Sequence, residues 1–204
     1  MVAKISLTVV DGFYSNPDRV REIGLSDLRV PYHAPAIQQK LERLIGRRIT
    51  DFDINRPGVV GNGTFRLSIK GGDPETHCIS YVHADTFTRE FNTLVYLNPN
   101  APVDAGTSFF RHKETGLYTI PTPSDARRLD VPLFELYHLL IDEAETKSKW
   151  EEVDRIGNVY NRALIFRAGR FHSATSCFGK NRKTGRLTQL FVFSTTQINA
   201  PARN

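Results

Sequence analysis

A histidine and an aspartate two positions apart, His83 and Asp85, are the pair in this sequence best suited to chemistry. In a β-strand, residues i and i+2 point to the same face, so an imidazole and a carboxylate would project side by side. With a second histidine they would complete a two-histidine, one-carboxylate ligand set, which holds iron(II) and leaves coordination positions open. The pair by itself does not distinguish such a site from a histidine and an aspartate that hydrogen-bond on a strand surface, and without further context the latter is favoured.

The same spacing occurs again in His112 and Glu114. This second pair is followed directly by Thr115 and Gly116, which indicates a hairpin turn. A turn does not keep residues i and i+2 parallel, so the two side chains would diverge. We therefore prefer the first pair as metal ligands and keep Glu114 as the alternative carboxylate.

The second histidine ligand is predicted to be His172. It follows the apolar run 163–166 and a turn at Gly169, so a returning strand would direct its imidazole inward. A core histidine that is hydrogen-bonded to a backbone carbonyl is the alternative. The remaining histidines have no comparable sequence context; they are His33, His77 and His138.

An arginine and a threonine, Arg186 and Thr188, precede a strongly apolar run after His172. In a strand these two side chains would share the face that lines the cavity. The guanidinium offers a planar fork that binds a carboxylate through two hydrogen bonds, and the hydroxyl adds another donor. The pattern predicts an anion site near the metal, with a surface arginine as the alternative.

The elements that must position these residues are mostly short strands. Alternating or apolar runs predict strands at residues 5–10, 65–69, 77–85, 93–97, 106–110, 162–166, 171–176 and 186–194. Helical spacing predicts one helix that begins at Asn16 and Pro17 and ends at Gly24, and a second at 35–45 that Gly46 closes. A third, amphipathic helix is predicted as an insertion at 132–153.

Many short strands with turns between them predict a sandwich or barrel. Helices that do not alternate with the strands argue against a doubly wound α/β fold. We therefore expect a mainly β protein with flanking helices, forming a single domain over residues 1–204. Residues 1–60 would supply a first strand and a helical buttress, and residues 61–204 the barrel core.

The composition of the 204 residues, 40% hydrophobic and 24% charged, is sufficient for a sizeable core. The net charge is +5, but the basic residues are spread along the chain and form no stripe. Nucleic acid is therefore not expected as a partner, whereas an anionic small molecule is.

Compartment is predicted from features that the sequence lacks. No stretch approaches the roughly 18 apolar residues of a membrane span, and residues 1–10 lack the cleavage site of a signal peptide. The two cysteines, Cys78 and Cys177, are too few for a secreted disulfide scaffold. We expect a soluble, cytoplasmic protein with a disordered end at 200–204, and a homodimer is compatible with these observations.

The order of the features resembles the Fe(II)/2-oxoglutarate-dependent dioxygenase superfamily. His-x-Asp, an apolar strand, a distal histidine and Arg-x-Thr follow one another between Tyr81 and Phe193. The stretches 93–98 (Thr-Leu-Val-Tyr-Leu-Asn) and 106–110 (Gly-Thr-Ser-Phe-Phe) are similar to successive strands of its prolyl-hydroxylase-like branch. Residues 10–14 (Val-Asp-Gly-Phe-Tyr) are similar to that branch's lead-in. The long interval between His172 and Arg186 and the insertion at 132–153 depart from the branch.

The resemblance implies a double-stranded β-helix, the jelly-roll or cupin-like barrel built from two sheets. It implies iron(II) on the ligands His83, Asp85 and His172, with 2-oxoglutarate bound to the metal through its keto acid end and O2 as oxidant. The far carboxylate of 2-oxoglutarate would contact Arg186, with the hydroxyls of Thr188 and Tyr96 beside it.

The reaction that the resemblance implies is hydroxylation or desaturation of an unactivated C–H bond, with succinate and CO2 as co-products. The substrate would be a small molecule such as an amino acid or secondary metabolite. Related halogenases carry a small residue in place of the carboxylate, so Asp85 favours oxidation over halogenation. No catalytic residue beyond the metal ligands is expected, and candidate substrate contacts are Arg111, Tyr118, Asn158 and Tyr160.

Other functions stay open. A protein or peptide hydroxylase is the first alternative, because the similar strands belong to the prolyl-hydroxylase-like branch. A nucleic-acid demethylase ranks behind it, because basic and aromatic residues are not interleaved. A different class is a metal-binding cupin that is not an oxygenase, in which Arg186 would have no keto acid to bind.

Overall fold

The structure is a computed structural model that describes residues 6–52, 62–85 and 89–197. Over these residues the protein is mainly β, with antiparallel sheets and flanking helices, as the sequence predicts. The expectation of disorder at 200–204 lies outside the described residues. Among the helices in the described ranges, none is long and apolar enough to cross a membrane.

The elements follow one another in a mixed order along the chain. The strands are β1 (Leu7–Val10), β2 (Arg47–Ile49), β3 (Thr64–Ser68), β4 (Phe91–Tyr96), β5 (Thr107–His112), β6 (Trp150–Ile156), β7 (Ala163–Arg167), β8 (His172–Ala174), β9 (Arg186–Phe193) and β10 (Thr195–Gln197). The helices are α1 (Pro17–Ser26), α2 (Ile37–Ile45), α3 (Pro123–Leu129) and α4 (Leu133–Asp142), with one 3-10 turn at Lys147–Lys149.

Two sheets face each other and enclose an apolar cluster. One is five-stranded, in the order β1-β7-β4-β9-β3, and the other is three-stranded, in the order β6-β5-β8. Their strand pairs are antiparallel. Phe109 of β5 meets Phe166 of β7 with ring centroids 5.1 Å apart, and Leu94 and Leu164 pack beside them. A small third sheet pairs β10 with β2.

The five-stranded sheet has two unlike faces because side chains alternate along each strand. One face, with Val95 of β4 and Phe191 of β9, packs against α1 and α2 in the largest apolar cluster. The opposite face turns toward the three-stranded sheet and carries Arg186 and Thr188, with Arg66 directly across from Thr188. The helix-covered face stabilises the sheet, so the inner face can carry polar groups.

The predicted start of α1 and the predicted end of α2 at Gly46 are confirmed, whereas α2 begins at Ile37, two residues later than predicted. The Asn16 side chain accepts the Arg19 backbone N–H at 3.1 Å, and a proline follows in the first turn. The predicted stop at Gly24 is wrong, because α1 continues to Ser26. Gly24 is needed for packing instead: a Cβ there would lie 2.5 Å from the ring of Phe65.

Two predicted elements need correction. Residues 77–85 are not a strand, since His83 forms only an isolated bridge with His172. The backbone N–H of Val82 instead bonds to Ala144 and that of Asp85 to Ala168, so no single neighbouring strand accepts the segment. The predicted helix at 132–153 ends at residue 142, and its last residues belong to β6. The elements α3, β2, β6 and β10 were not predicted.

A disulfide joins Cys78 and Cys177, whose Cα atoms are 5.9 Å apart although 99 residues separate them in sequence. Two cysteines gave no expectation of this bond. It links the segment that precedes His83 to the segment that follows His172, so it constrains both backbone stretches that carry the candidate ligands.

Candidate metal centre

Three side chains converge at one end of the space between the two sheets: His83, Asp85 and His172. Their ligand atoms all lie within 4.8 Å of one another. Nε2 of His172 is 3.2 Å from Oδ2 of Asp85, and Nε2 of His83 is 3.7 Å from Oδ1 of the same carboxylate. The predicted convergence is therefore confirmed. Ligand bonds of about 2.0–2.2 Å hold adjacent ligand atoms about 3 Å apart, so these separations are somewhat wider than those around a bound ion.

Reciprocal backbone hydrogen bonds place the two histidines side by side. The N–H of His83 donates to the carbonyl of His172 at 3.0 Å, and the N–H of His172 donates back at 2.9 Å. The N–H of Asp85 donates to the carbonyl of Ala168 at 3.1 Å, in the turn before β8. The His83–His172 bridge and the contact between Asp85 and the turn before β8 thus bring the three side chains together. The sequence predicted that a full strand at 77–85 would do this.

Backbone carbonyls also fix which imidazole nitrogen faces the cluster. Nδ1 of His83 lies 3.1 Å from the carbonyl of Tyr81, and Nδ1 of His172 lies 2.8 Å from the carbonyl of Arg170. A carbonyl can only accept, so each Nδ1 carries the proton. Each Nε2 then presents its lone pair to the cluster, which is the arrangement of a histidine that binds a metal.

The carboxylate is oriented by an amide from the inner face of the sheet. Nδ2 of Asn92, on β4, donates to Oδ2 of Asp85. The Asp85 side chain remains 28% exposed, whereas that of His172 is only 6% exposed. The cluster therefore has a buried side on β8 and an open side at Asp85.

The electrostatics of the cluster favour metal binding. Burial is the largest influence on His83 and lowers its pKa from 6.5 to about 4, and His172 acts in the same direction. Burial alone would raise the pKa of Asp85, but the charge and hydrogen bond of His172 outweigh it and lower that pKa to about 2. For His172, burial is the largest single influence and lowers the pKa, but the charge and hydrogen bond of Asp85 together with the Arg170 carbonyl outweigh it, so the net shift is upward. At neutral pH His83 is neutral and Asp85 is ionised, and a metal would take the place of any proton on Nε2 of His172.

The donor set can hold a divalent transition metal. Two neutral imidazoles and one carboxylate suit iron(II), and zinc or manganese would also accept them. Within the described residues no fourth His, Cys, Asp or Glu joins the group. A metal held here would keep positions open for small molecules.

A cavity of 300 Å³ adjoins the three ligands. Two residues from the predicted anion site, Arg186 and Thr188, line it together with Asn92 and the apolar Leu94 and Leu190. The structure therefore places the predicted metal ligands and two of the predicted anion-binding residues around one space.

Arg186 is a buried cation that lacks an acidic partner among the described residues. Its Nη2 donates to the carbonyl of Gly106 and the hydroxyl of Thr107, each at 3.3 Å, and its Nε is buried without a hydrogen-bond partner. Burial lowers its pKa, and Tyr96 opposes that shift. A buried charge without a counter-charge is costly. An anion in the cavity would therefore compensate the charge of the guanidinium and accept hydrogen bonds from its free donors.

The two predicted hydroxyl partners differ in position. Thr188 lines the cavity, and its hydroxyl makes one long hydrogen bond of 3.4 Å to the backbone of Arg66. Tyr96 does not line it: the ring is buried, its hydroxyl donates to Thr107 at 2.7 Å, and its centroid lies 5.4 Å from the Arg186 guanidinium. Tyr96 thus packs against the arginine, and its direct contact with a ligand stays a prediction.

The four predicted substrate contacts, Arg111, Tyr118, Asn158 and Tyr160, do not line the cavity. Arg111 pairs with a glutamate on β6, Asn158 donates to a backbone carbonyl, and Tyr160 donates to an aspartate in α1. Tyr118 is exposed at the surface. These groups have structural partners, and the cavity is lined by other residues.

The alternative ligand pair is separated by the predicted turn. Nε2 of His112 lies 2.6 Å from Oε2 of Glu143, and its Nδ1 lies 3.0 Å from the hydroxyl of Thr115. Glu114 is exposed, with its carboxylate 3.8 Å from Lys149. His112 and Glu114 therefore do not form a shared ligand set.

Sequence reasoning missed Asn92 and Arg66 as cavity residues. A signal for Arg66 was present, because Phe65 and Leu67 were recognised as alternating apolar positions. A polar residue between them must point to the opposite face of the strand. Asn92 gave no such signal, since it stands just before the predicted start of its strand.

The fold and the site define a mainly β protein with facing antiparallel sheets and a two-histidine, one-carboxylate cluster that can hold a metal. The chain belongs to the family of unknown function DUF6445, which matches residues 28–193. The sequence matches no curated protein.

Several solved structures are similar to this chain at low identity. A prolyl-4-hydroxylase from Pseudomonas putida is 13% identical, with 93% of this chain and 88% of that chain covered and a TM-score of 0.44. An N-substituted L-amino acid dioxygenase from Burkholderia ambifaria is 10% identical, with 93% and 85% covered and a TM-score of 0.44. Iron-bound HygX from Streptomyces hygroscopicus is 15% identical, with 94% and 82% covered and a TM-score of 0.45.

Proposed function

We propose that this protein is an Fe(II)- and 2-oxoglutarate-dependent oxygenase whose single domain is a double-stranded β-helix. One observation carries the proposal: the ligand set His83, Asp85 and His172 shares a cavity with Arg186, a buried cation that lacks an acidic partner among the described residues. A metal with open positions and a fixed cation beside it suit a ligand that chelates at one end and carries a carboxylate at the other. 2-Oxoglutarate has this chemistry.

The residues divide the task between them. His83, Asp85 and His172 would hold iron(II), which supplies the oxidising chemistry with O2 and 2-oxoglutarate when bound. Arg186 would receive the far carboxylate through its free donors, with the Thr188 hydroxyl beside it. The carbonyls behind each Nδ1 keep both histidines in the tautomer that binds a metal.

Water exclusion is the other contribution of the fold. The cavity lies between the sheets, and its apolar wall includes Leu94 and Leu190. A low-dielectric wall strengthens each charge interaction inside it and restricts competing reactions with solvent. The reaction proposed is hydroxylation or desaturation of a C–H bond in a small molecule, with succinate and CO2 as co-products.

The residues that line this cavity also bear on two of the alternative functions that the sequence left open. A protein or peptide hydroxylase would use the same ligands and Arg186 and differ only in substrate. A metal-binding cupin without oxygenase activity would leave Arg186 without a ligand, so the buried guanidinium argues against it. The cytoplasmic location stays a prediction, and the Cys78–Cys177 disulfide weighs against it, because such bonds persist mainly in oxidising compartments.

Anaerobic titration of iron(II) and then 2-oxoglutarate into the purified protein tests the proposal. We expect one iron per chain and a weak visible charge-transfer band that appears only after 2-oxoglutarate is added. Asp85→Ala should lose both signals, whereas His138→Ala, which removes an exposed histidine of α4, should keep them. Iron binding without any response to 2-oxoglutarate would support the cupin alternative and refute the oxygenase.

A further inference from the structure

The cavity beside the metal ligands contains a second cation that the proposed co-substrate does not use. Arg66 stands on β3, directly across from Thr188 in the strand register, and lines the cavity together with Arg186. Its guanidinium makes one long hydrogen bond, 3.4 Å from Nη2 to the carbonyl of His77. No acidic residue within the described ranges forms an ion pair with it, although Asp85 is close enough to influence its pKa.

The charges around this cavity do not balance once the proposed ligands are placed. Among the described residues, the lining carries two guanidinium groups, Arg66 and Arg186, and one carboxylate, Asp85. A divalent metal adds two positive charges, and 2-oxoglutarate supplies two negative ones. One positive charge remains in a partly buried space, where an uncompensated charge is costly. The missing component is therefore a further anion beside Arg66.

A second cavity begins on the other side of the segment that carries His83. It has a volume of 440 Å³ and lies under α4, with Leu140, Ile120 and Phe171 among its mostly apolar lining. Tyr81, His83 and Ala84 line both cavities, so the apolar space and the metal-ligand cavity meet at this segment.

Resting on the proposed function, we infer that the substrate is a small carboxylic acid with an apolar body. Arg66 binds its carboxylate, and the apolar cavity under α4 receives its body. The C–H bond that is oxidised then lies between these two anchors, next to His83. The carboxylate of such an acid supplies the negative charge that is missing beside Arg66. Its apolar body fills the cavity under α4.

The carboxylate assignment is tested with a panel of straight-chain and branched carboxylic acids of increasing length and their matching primary amides. Calorimetry without oxygen measures their binding to the zinc-loaded protein saturated with 2-oxoglutarate. Acids should bind about 10- to 100-fold more tightly than the matching amides, the range expected for a charge-assisted hydrogen bond. Succinate release by the iron-loaded protein with oxygen should be stimulated in the same order.

Arg66→Gln should remove most of the preference for acid over amide and raise the half-saturation for acids far more than that for 2-oxoglutarate. Arg29→Gln is the matched control, because it removes the same charge from a guanidinium that is 83% exposed and pairs with Glu75. It should keep the preference. The carboxylate assignment is overturned if amides bind as well as acids, or if no acid binds at millimolar concentration. It is also overturned if Arg66→Gln keeps the preference or weakens 2-oxoglutarate more than the acids.

The cavity under α4 is tested by Ala144→Leu, which adds bulk to its lining at a residue that is not one of the candidate ligands. Binding of the longer acids should fall about tenfold while the shortest acids bind as before, so the chain-length series is its own control. An equal effect at every length overturns the assignment of the apolar body. Failure of the zinc-loaded protein to bind 2-oxoglutarate at all refutes the proposed function, whereas 2-oxoglutarate binding without acid preference refutes this inference alone.

Discussion

Replacing Arg186 by alanine should weaken 2-oxoglutarate binding about 30- to 1,000-fold while metal affinity changes little. The guanidinium is 4% exposed, its Nε has no hydrogen-bond partner among the described residues, and its two Nη2 contacts are long at 3.3 Å. Most of its donor capacity is thus available to a ligand. Loss of a charge-assisted pair in such a site leaves the ligand's carboxylate buried and unpaired, at a cost of about 2–4 kcal/mol. At about 1.4 kcal/mol per factor of ten, this gives the predicted range.

Two companion variants make the prediction sharper. Arg186→Lys keeps the charge but loses the planar fork, so it should be nearly as harmful as alanine. Thr188→Ala removes one neutral hydroxyl that is only weakly engaged at 3.4 Å, and it should cost about 0.5–1.5 kcal/mol. The order of the three variants distinguishes recognition by the fork from simple attraction between charges.

The assay is the dissociation constant of 2-oxoglutarate for the iron(II)-loaded protein without oxygen, measured by the visible band or by calorimetry. Iron affinity is measured separately. Arg47→Ala is the matched control, since Arg47 is also largely buried but pairs with Glu90 at 2.8 Å away from the cavity. An unchanged 2-oxoglutarate dissociation constant in Arg186→Ala would sink the assignment of this arginine.

Three further predictions concern the ligands and the covalent link between their segments. His83→Ala and His172→Ala should each abolish stoichiometric iron binding while the circular dichroism spectrum stays native. A variant that still binds one iron per chain would show that the replaced histidine is not a ligand. Metal binding at pH 6 should release close to one proton per ion, measured by calorimetry in buffers of different ionisation enthalpy. His172, whose pKa is raised above 6.5, is protonated there, and His83, with a pKa of about 4, is not. The apparent affinity should therefore rise about tenfold per pH unit up to the pKa of His172, and release of two protons would contradict these shifts. Replacing both Cys78 and Cys177 by serine should lower the free energy of unfolding by about 2–4 kcal/mol because a long loop is released, and an unfolding midpoint that is insensitive to reductant would contradict the bond.

Much of the β core could be predicted because the periodicity of two is local. The inner and outer faces of β4 and β9 follow from alternation alone, and so does the shared face of Arg186 and Thr188. The convergence of His83 with His172 was also predictable, even though the supporting strand was wrong. His83 and Asp85 need only a short extended stretch to point to the same side. The single bridge between His83 and His172 then brings the second histidine next to them.

Features that depend on distant partners were not predictable. The helical spacing of Leu133, Leu136 and Leu140 continued into residues that pair with β5 instead, and only the partner strand decides that β6 forms. The Thr107 hydroxyl of β5 accepts hydrogen bonds from Tyr96 and Arg186 of the facing sheet, a contact that no spacing in the sequence indicates. The disulfide required knowledge that the two cysteine segments are adjacent in space.

The stability of the protein provides a separate test of whether Arg186, on the polar inner face of the sheet, serves ligand binding or folding. A buried guanidinium that has no counter-charge among the described residues opposes folding, whereas an apolar cluster covers the opposite face of the same sheet. Residues that break the rules of burial without compensation inside the protein are expected at functional sites. Arg186→Met keeps a similar length of apolar stem beside Tyr96 and removes the charge, so the ligand-free protein should become more stable by about 1 kcal/mol or more. 2-Oxoglutarate should no longer raise the melting temperature of this variant, although it should raise that of the wild type. A variant that is much less stable without ligand would show that Arg186 has a folding role, and the buried cation would then lose its force as an indication of an anion site.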